Sequence, residues 1–67
     1  MKLSAVSQWN AYAKQVIADE GTFTFEHKGR KIHIEQESTR RFSAWYADDS
    51  SVICEDTTPH KAFSALV

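Results

Sequence analysis

Three histidines, one cysteine, a set of carboxylates and a small group of bases are the residues of this chain whose types could do chemistry. His27, His33 and His60 could form part of a metal site. The strand register derived below puts His27 and His33 on opposite faces of one hairpin, and His60 falls at a helix start. Zinc needs three or four converging ligands, so the histidines read as solvated or half-buried side chains, and no metal or cofactor is expected. Cys54 closes an apolar run, Val52-Ile53-Cys54, and is followed by Glu55 and Asp56. A nucleophilic thiol needs an electropositive, accessible setting, whereas a free cysteine is among the most buried residue types. Cys54 therefore reads as structural. Asp48, Asp49, Glu55 and Asp56 lack the alternating ligand rhythm of a calcium loop and suit turns and caps instead. No catalytic residue is assigned.

Lys28, Arg30 and Lys31, with Arg40 and Arg41, form the basic cluster. In an antiparallel meander the Asp48-Asp49 turn comes back beside the Lys28 tip, and Arg40-Arg41 lies beside Glu35 and Glu37. Each base then has a carboxylate within roughly a Debye length of ~8–10 Å. Eight Lys and Arg against nine Asp and Glu give a net charge of -1. Both facts weigh against a polyanion partner, which selects for a basic stripe.

The elements that must position these residues are bounded by size. With 67 residues, 42% of them hydrophobic and 25% charged, the composition is that of one small globular α+β domain. Such a chain buries only about 60% of the surface it exposes unfolded. A lone cysteine excludes an intramolecular disulfide, the usual staple of small secreted domains. The apolar stretch after Lys2 is interrupted by Ser4, Ser7, Gln8 and Asn10, unlike a signal peptide. No run nears the ~18 apolar residues of a membrane span, and a cytoplasmic location is expected.

Helical spacing predicts a helix over Leu3 to Glu20, with Val6, Trp9, Ala13, Val16 and Ile17 on one stripe, Ser4 as N-cap and Gly21 just past the end. At Thr22 the period changes to two. Thr22–His27 and Arg30–Glu35 alternate about Lys28-Gly29, which suits a two-residue hairpin turn with glycine second. That turn fixes the register: His27 with Arg30, Glu26 with Lys31, Phe25 with Ile32, Thr24 with His33, and Phe23 with Ile34. Both apolar pairs share one face, and a one-residue slip would lose the match. Gln36 to Arg40 reads as a polar connector, Arg41–Tyr46 as a third strand and Asp48–Ser51 as a turn. Val52–Cys54 is either a fourth strand or the return of the third. Thr58 caps a closing helix that begins at Pro59 and turns Ala62, Phe63 and Leu66 inward. The expected fold is an N-terminal helix, a three- or four-stranded antiparallel meander and a short C-terminal helix, with both helices on one sheet face.

If Phe42, Ala44 and Tyr46 face the helices, then Arg41, Ser43 and Trp45 face away, beside Thr24, Glu26, Lys31, His33 and Glu35. Trp and Arg most often dominate binding energy at interfaces. Thr24, Glu26, Lys31, His33, Arg41, Ser43 and Trp45 are therefore the candidate partner-binding residues, with a protein partner or a second copy of the chain as occupant. Trp45 turning inward is the competing placement. A short chain with its own initiator Met is typical of accessory genes on phage or mobile elements, and a binder or inhibitor of a host or defence protein is one version of this expectation. The helix–strands–helix order also resembles, in topology, the double-stranded-RNA-binding domain. That family carries a lysine-rich start to its last helix, where Thr58-Pro59-His60-Lys61 has one lysine. The order likewise resembles small RNase-type toxins that use a strand histidine. That resemblance implies His33, with Lys31 and Arg41, although the glycine, serine and histidine pattern of such toxins is missing. Nucleic-acid binding or RNA cleavage is the alternative.

Overall fold

The structure, a computed structural model, describes residues 5–67. In chain order it contains α1 (Ala5–Glu20), β1 (Phe23–His27), β2 (Arg30–Ser38), β3 (Arg41–Tyr46), β4 (Asp49–Asp56) and α2 (Pro59–Leu66). The expected helix start at Leu3 and the Ser4 cap lie outside the described residues.

Helix α1 ends as its sequence dictates. Gly21 adopts φ +86°, open to glycine at little cost, and its N–H donates to the Ile17 carbonyl at 2.8 Å. Ala13 and Ile17 are buried, but Val6, expected on the inward stripe, is 46% exposed. The helix meets its neighbours from Trp9 onward, and Val6 lies about one turn before the first of these contacts.

The four strands form one antiparallel sheet in the order β1-β2-β3-β4. All five pairs of the β1–β2 hairpin fall in the register derived from sequence. Lys28 at φ +52° and Gly29 at φ +80° are both left-handed, the conformation of a type I′ turn. Its twist matches that of the flanking strands.

Two stretches differ from expectation. Instead of a connector from Gln36, β2 continues to Ser38, with Gln36 opposite Phe42 and Ser38 opposite Arg41. A bulge between Gln36 and Ser38 absorbs Glu37, so a polar run still completes the ladder. The third turn is Ala47-Asp48, and β4 begins at Asp49. The Asp49-Ser51 turn signal is real but local: Asp49 Oδ1 accepts from the Ser51 backbone N–H at 3.0 Å and from its hydroxyl. This side-chain turn sits inside β4, where Ser50 to Ile53 stand against Trp45 alone, between the pairs Ala44–Cys54 and Tyr46–Asp49.

Both helices lie on one face of the sheet. α1 packs on β1, β2 and α2, and α2 packs on β2, β3 and β4. Ala13, Ile17, Phe23, Ile32, Ile34, Phe42, Ala44 and Ala62 make the core. Trp9 joins its layers, with ring centroids 5.6 Å from Phe23, Phe25 and Phe63 and 5.3 Å from His60. Contacts of this kind add about 0.5–1.5 kcal/mol each beyond area burial. Thr58 caps α2 as expected, its hydroxyl accepting from Lys61 N–H at 3.2 Å. No described helix is long and apolar enough to cross a membrane.

Candidate functional site

Strand alternation sends Phe23, Phe25, Ile32, Ile34, Phe42 and Ala44 toward the helices and the intervening residues to the opposite face. His33 stands opposite Thr24 on one side and Trp45 on the other. The three form a row across β1, β2 and β3. Thr24 Oγ1 lies 2.7 Å from His33 Nδ1, and the His33 and Trp45 rings are 5.9 Å apart, tilted by 49°. Trp45 and His33 are half-buried, while Thr24 is exposed. Trp45 is thus an outer-face residue, packed along the sheet rather than into the core. Glu26 opposite Lys31 borders the row toward the hairpin tip.

A second row crosses β2, β3 and β4 through Glu35, Ser43 and Glu55. Here the expectation for Ser43 needs correcting. It lies on the outer face, but it is 2% exposed. Its hydroxyl donates to Glu37 Oε1 at 2.7 Å and stands 3.4 Å from Glu55 Oε2. The bulge swings Glu37 over it. Ser43 therefore organises two carboxylates and is not itself offered to a partner. Arg41 Nη2 meets Glu55 Oε1 at 3.2 Å, so its partner comes from β4 rather than from Glu35 or Glu37. The Glu55 carboxyl is held below its ordinary value, first by hydrogen bonding with Glu37 and then by Arg41.

One base of the hairpin tip, Arg30, is paired by the turn that returns beside it. Arg30 Nη2 reaches Asp48 Oδ1 at 2.9 Å, and its guanidinium carbon sits 3.6 Å from the Tyr46 ring centroid. Lys31 remains as an outer-face cation without an ion-pair partner among the described residues.

The remaining candidates lie apart. His27 packs on Phe63, with centroids 5.0 Å apart, and His60 stacks edge-on against Trp9 with Nδ1 3.3 Å from Ser64 Oγ. Cys54 is half-buried opposite Ala44. Among the described residues no three His, Cys, Asp or Glu side chains converge as metal ligands. Sequence reasoning set Glu37 beside Arg40 and Arg41 and missed its contact with Ser43, and it missed the exposure of Val52 and Ile53. The carboxylate of a Glu in a polar run gave no sign that a bulge would aim it at Ser43.

No pocket opens on this face among the described residues. The face offers one side of an indole, an imidazole and an ammonium, rimmed by Glu26, Glu35, Glu37 and Glu55. Comparison of the chain with protein-family models, curated proteins and solved structures finds no match.

Proposed function

We propose that this chain is a small non-enzymatic interaction module that binds another protein through the sheet face opposite its helices. The observation that carries this reading is one-sided coverage. Both helices pack on the same face, and the other holds the row Thr24–His33–Trp45, tied side chain to side chain. A tryptophan packed against an ordered neighbour has less entropy left to lose on binding, and Trp is among the residues that most often anchor interfaces. The charge of the face supports a protein over a nucleic acid. Glu26, Glu35, Glu37 and Glu55 outnumber Lys31 and Arg41, and Arg41 is already paired with Glu55. A polyanion would meet net repulsion there.

The test compares wild type with Trp45→Ala in affinity capture from the organism that carries the gene, with circular dichroism to follow the fold. Loss of one captured protein with an unchanged spectrum is expected. Equal capture by both proteins overturns the reading. So does a wild-type shift of mixed RNA or DNA at low salt that collapses as salt rises, which would favour the nucleic-acid alternative.

A further inference from the structure

Val52 and Ile53 are 55% and 56% exposed, and both belong to β4, an outer strand of the sheet. Neither side chain is covered by the rest of the fold. A partner segment laid along the outer edge of β4 reaches both. Natural edges are commonly blunted by proline or lysine, and Asp49-Ser-Ser-Val-Ile-Cys-Glu-Asp56 contains neither. Its irregular stretch opposite Trp45 breaks the flat ladder between Ser50 and Ile53, while Cys54, Glu55 and Asp56 return to regular pairing with β3.

Charge decides what fits there. Asp49, Glu55 and Asp56 flank the apolar pair, and β4 carries no base. Among the described residues Asp49 and Asp56 have no ion-pair partner. A second copy placed antiparallel about the Val52–Ile53 bond would set Asp49 of each chain against Asp56 of the other. Like charges directly opposite are destabilising.

We infer that the β4 edge binds an extended segment of another protein, apolar at its centre and bearing lysine or arginine on its flanks. This rests on the reading of the chain as an interaction module and names the chemistry of its partner. Strand addition at an edge gains affinity from the main chain and specificity from alternate side chains. Here the flanking carboxylates supply the selection.

The probe is a blocked seven-residue peptide, Arg-Lys-Val-Thr-Val-Lys-Arg, titrated into the isotopically labelled protein at low salt beside a counterpart with each base replaced by glutamate. Amide shifts concentrated in Val52 to Asp56 are expected, with the basic peptide binding at least about tenfold more tightly. Ile53→Lys, at an exposed position, should remove those shifts without changing the fold. Equal affinity for the two peptides, or no shift with millimolar basic peptide, overturns the inference. Shifts confined to Thr24, His33 and Trp45 overturn the edge site and leave the outer-face reading standing. Shifts that follow protein concentration instead of peptide identify a second copy as the occupant and overturn it as well.

Discussion

Asn10 Oδ1 accepts a hydrogen bond from the His60 backbone N–H at 2.8 Å, so a side chain of the first helix completes the first turn of the last. Helix starts leave up to four donors without an intrahelical partner. In α2 none is left over: Pro59 has no N–H, Asn10 takes His60, the Thr58 hydroxyl takes Lys61, and the Thr58 carbonyl takes Ala62. Asn10→Ala should cost about 1–2 kcal/mol, since it strands a part-buried donor. In a domain of this size that lowers Tm by roughly 4–8 °C per kcal/mol. Asn10→Asp should keep most of the stability, because a carboxylate also accepts and suits a helix N-terminus. Thermal melts of the two variants check this.

The hairpin turn gives a pair of opposite effects. Lys28 is held at φ +52°, which asparagine adopts more readily. Lys28→Asn should stabilise by about 0.5 kcal/mol. Gly29→Ala should destabilise by about 1 kcal/mol, and purely through backbone conformation, since a Cβ there meets nothing within 4 Å. Urea denaturation of both variants, with unchanged m-values, is the measurement.

Acid should loosen the fold through two identified carboxyls. Asp49 is lowered from its ordinary 3.8 by the Ser51 hydroxyl and N–H, and Glu55 from 4.5 by Glu37 and then Arg41. A folded value below the unfolded one means that the unfolded chain binds protons first as pH falls. The stabilisation is therefore present in full above about pH 5 and drains away as pH drops through the folded values. Glu55→Gln should flatten the acid limb of a stability–pH curve, and the curve of the wild type should fall more steeply below pH 4.5.

The two faces of β3 predict unequal losses. Phe42→Ala empties a site with no exposed surface and should cost about 3–5 kcal/mol, most of the stability available to a chain of this length. Trp45→Ala removes a half-buried ring from the outer face and should cost no more than about half of that. A Trp45 variant that unfolds as completely as the Phe42 variant would contradict the placement of the indole.

The hairpin register was legible from sequence because turn chemistry and alternation agree on one answer. The same holds for Gly21, Thr58 and Pro59, whose local geometry is set by the residue itself. The ends of β2 and β4 were not legible, for a specific reason. Polar runs such as Gln36–Ser38 and Asp49–Ser51 carry turn signals, yet main-chain pairing across a neighbouring strand overrides them, leaving the signals as a bulge and a side-chain turn. Of the candidate face, the outward set followed from period two alone. That Ser43 would be roofed by Glu37, and that Asn10 would reach across fifty residues to His60, depends on packing that no single stretch of sequence contains.

All three strand connections are two residues long, at Lys28-Gly29, Thr39-Arg40 and Ala47-Asp48. Loop closure for the entire sheet is consequently local, and its entropic toll rises only slowly with length in any case. Chains built of nearby contacts reach the native state quickly. The meander can assemble as a zipper from any of its turns, and the meeting most distant in sequence, α1 with α2, is expected to form last. Variants at the Asn10–His60 contact should then hasten unfolding while leaving the rate of folding almost untouched.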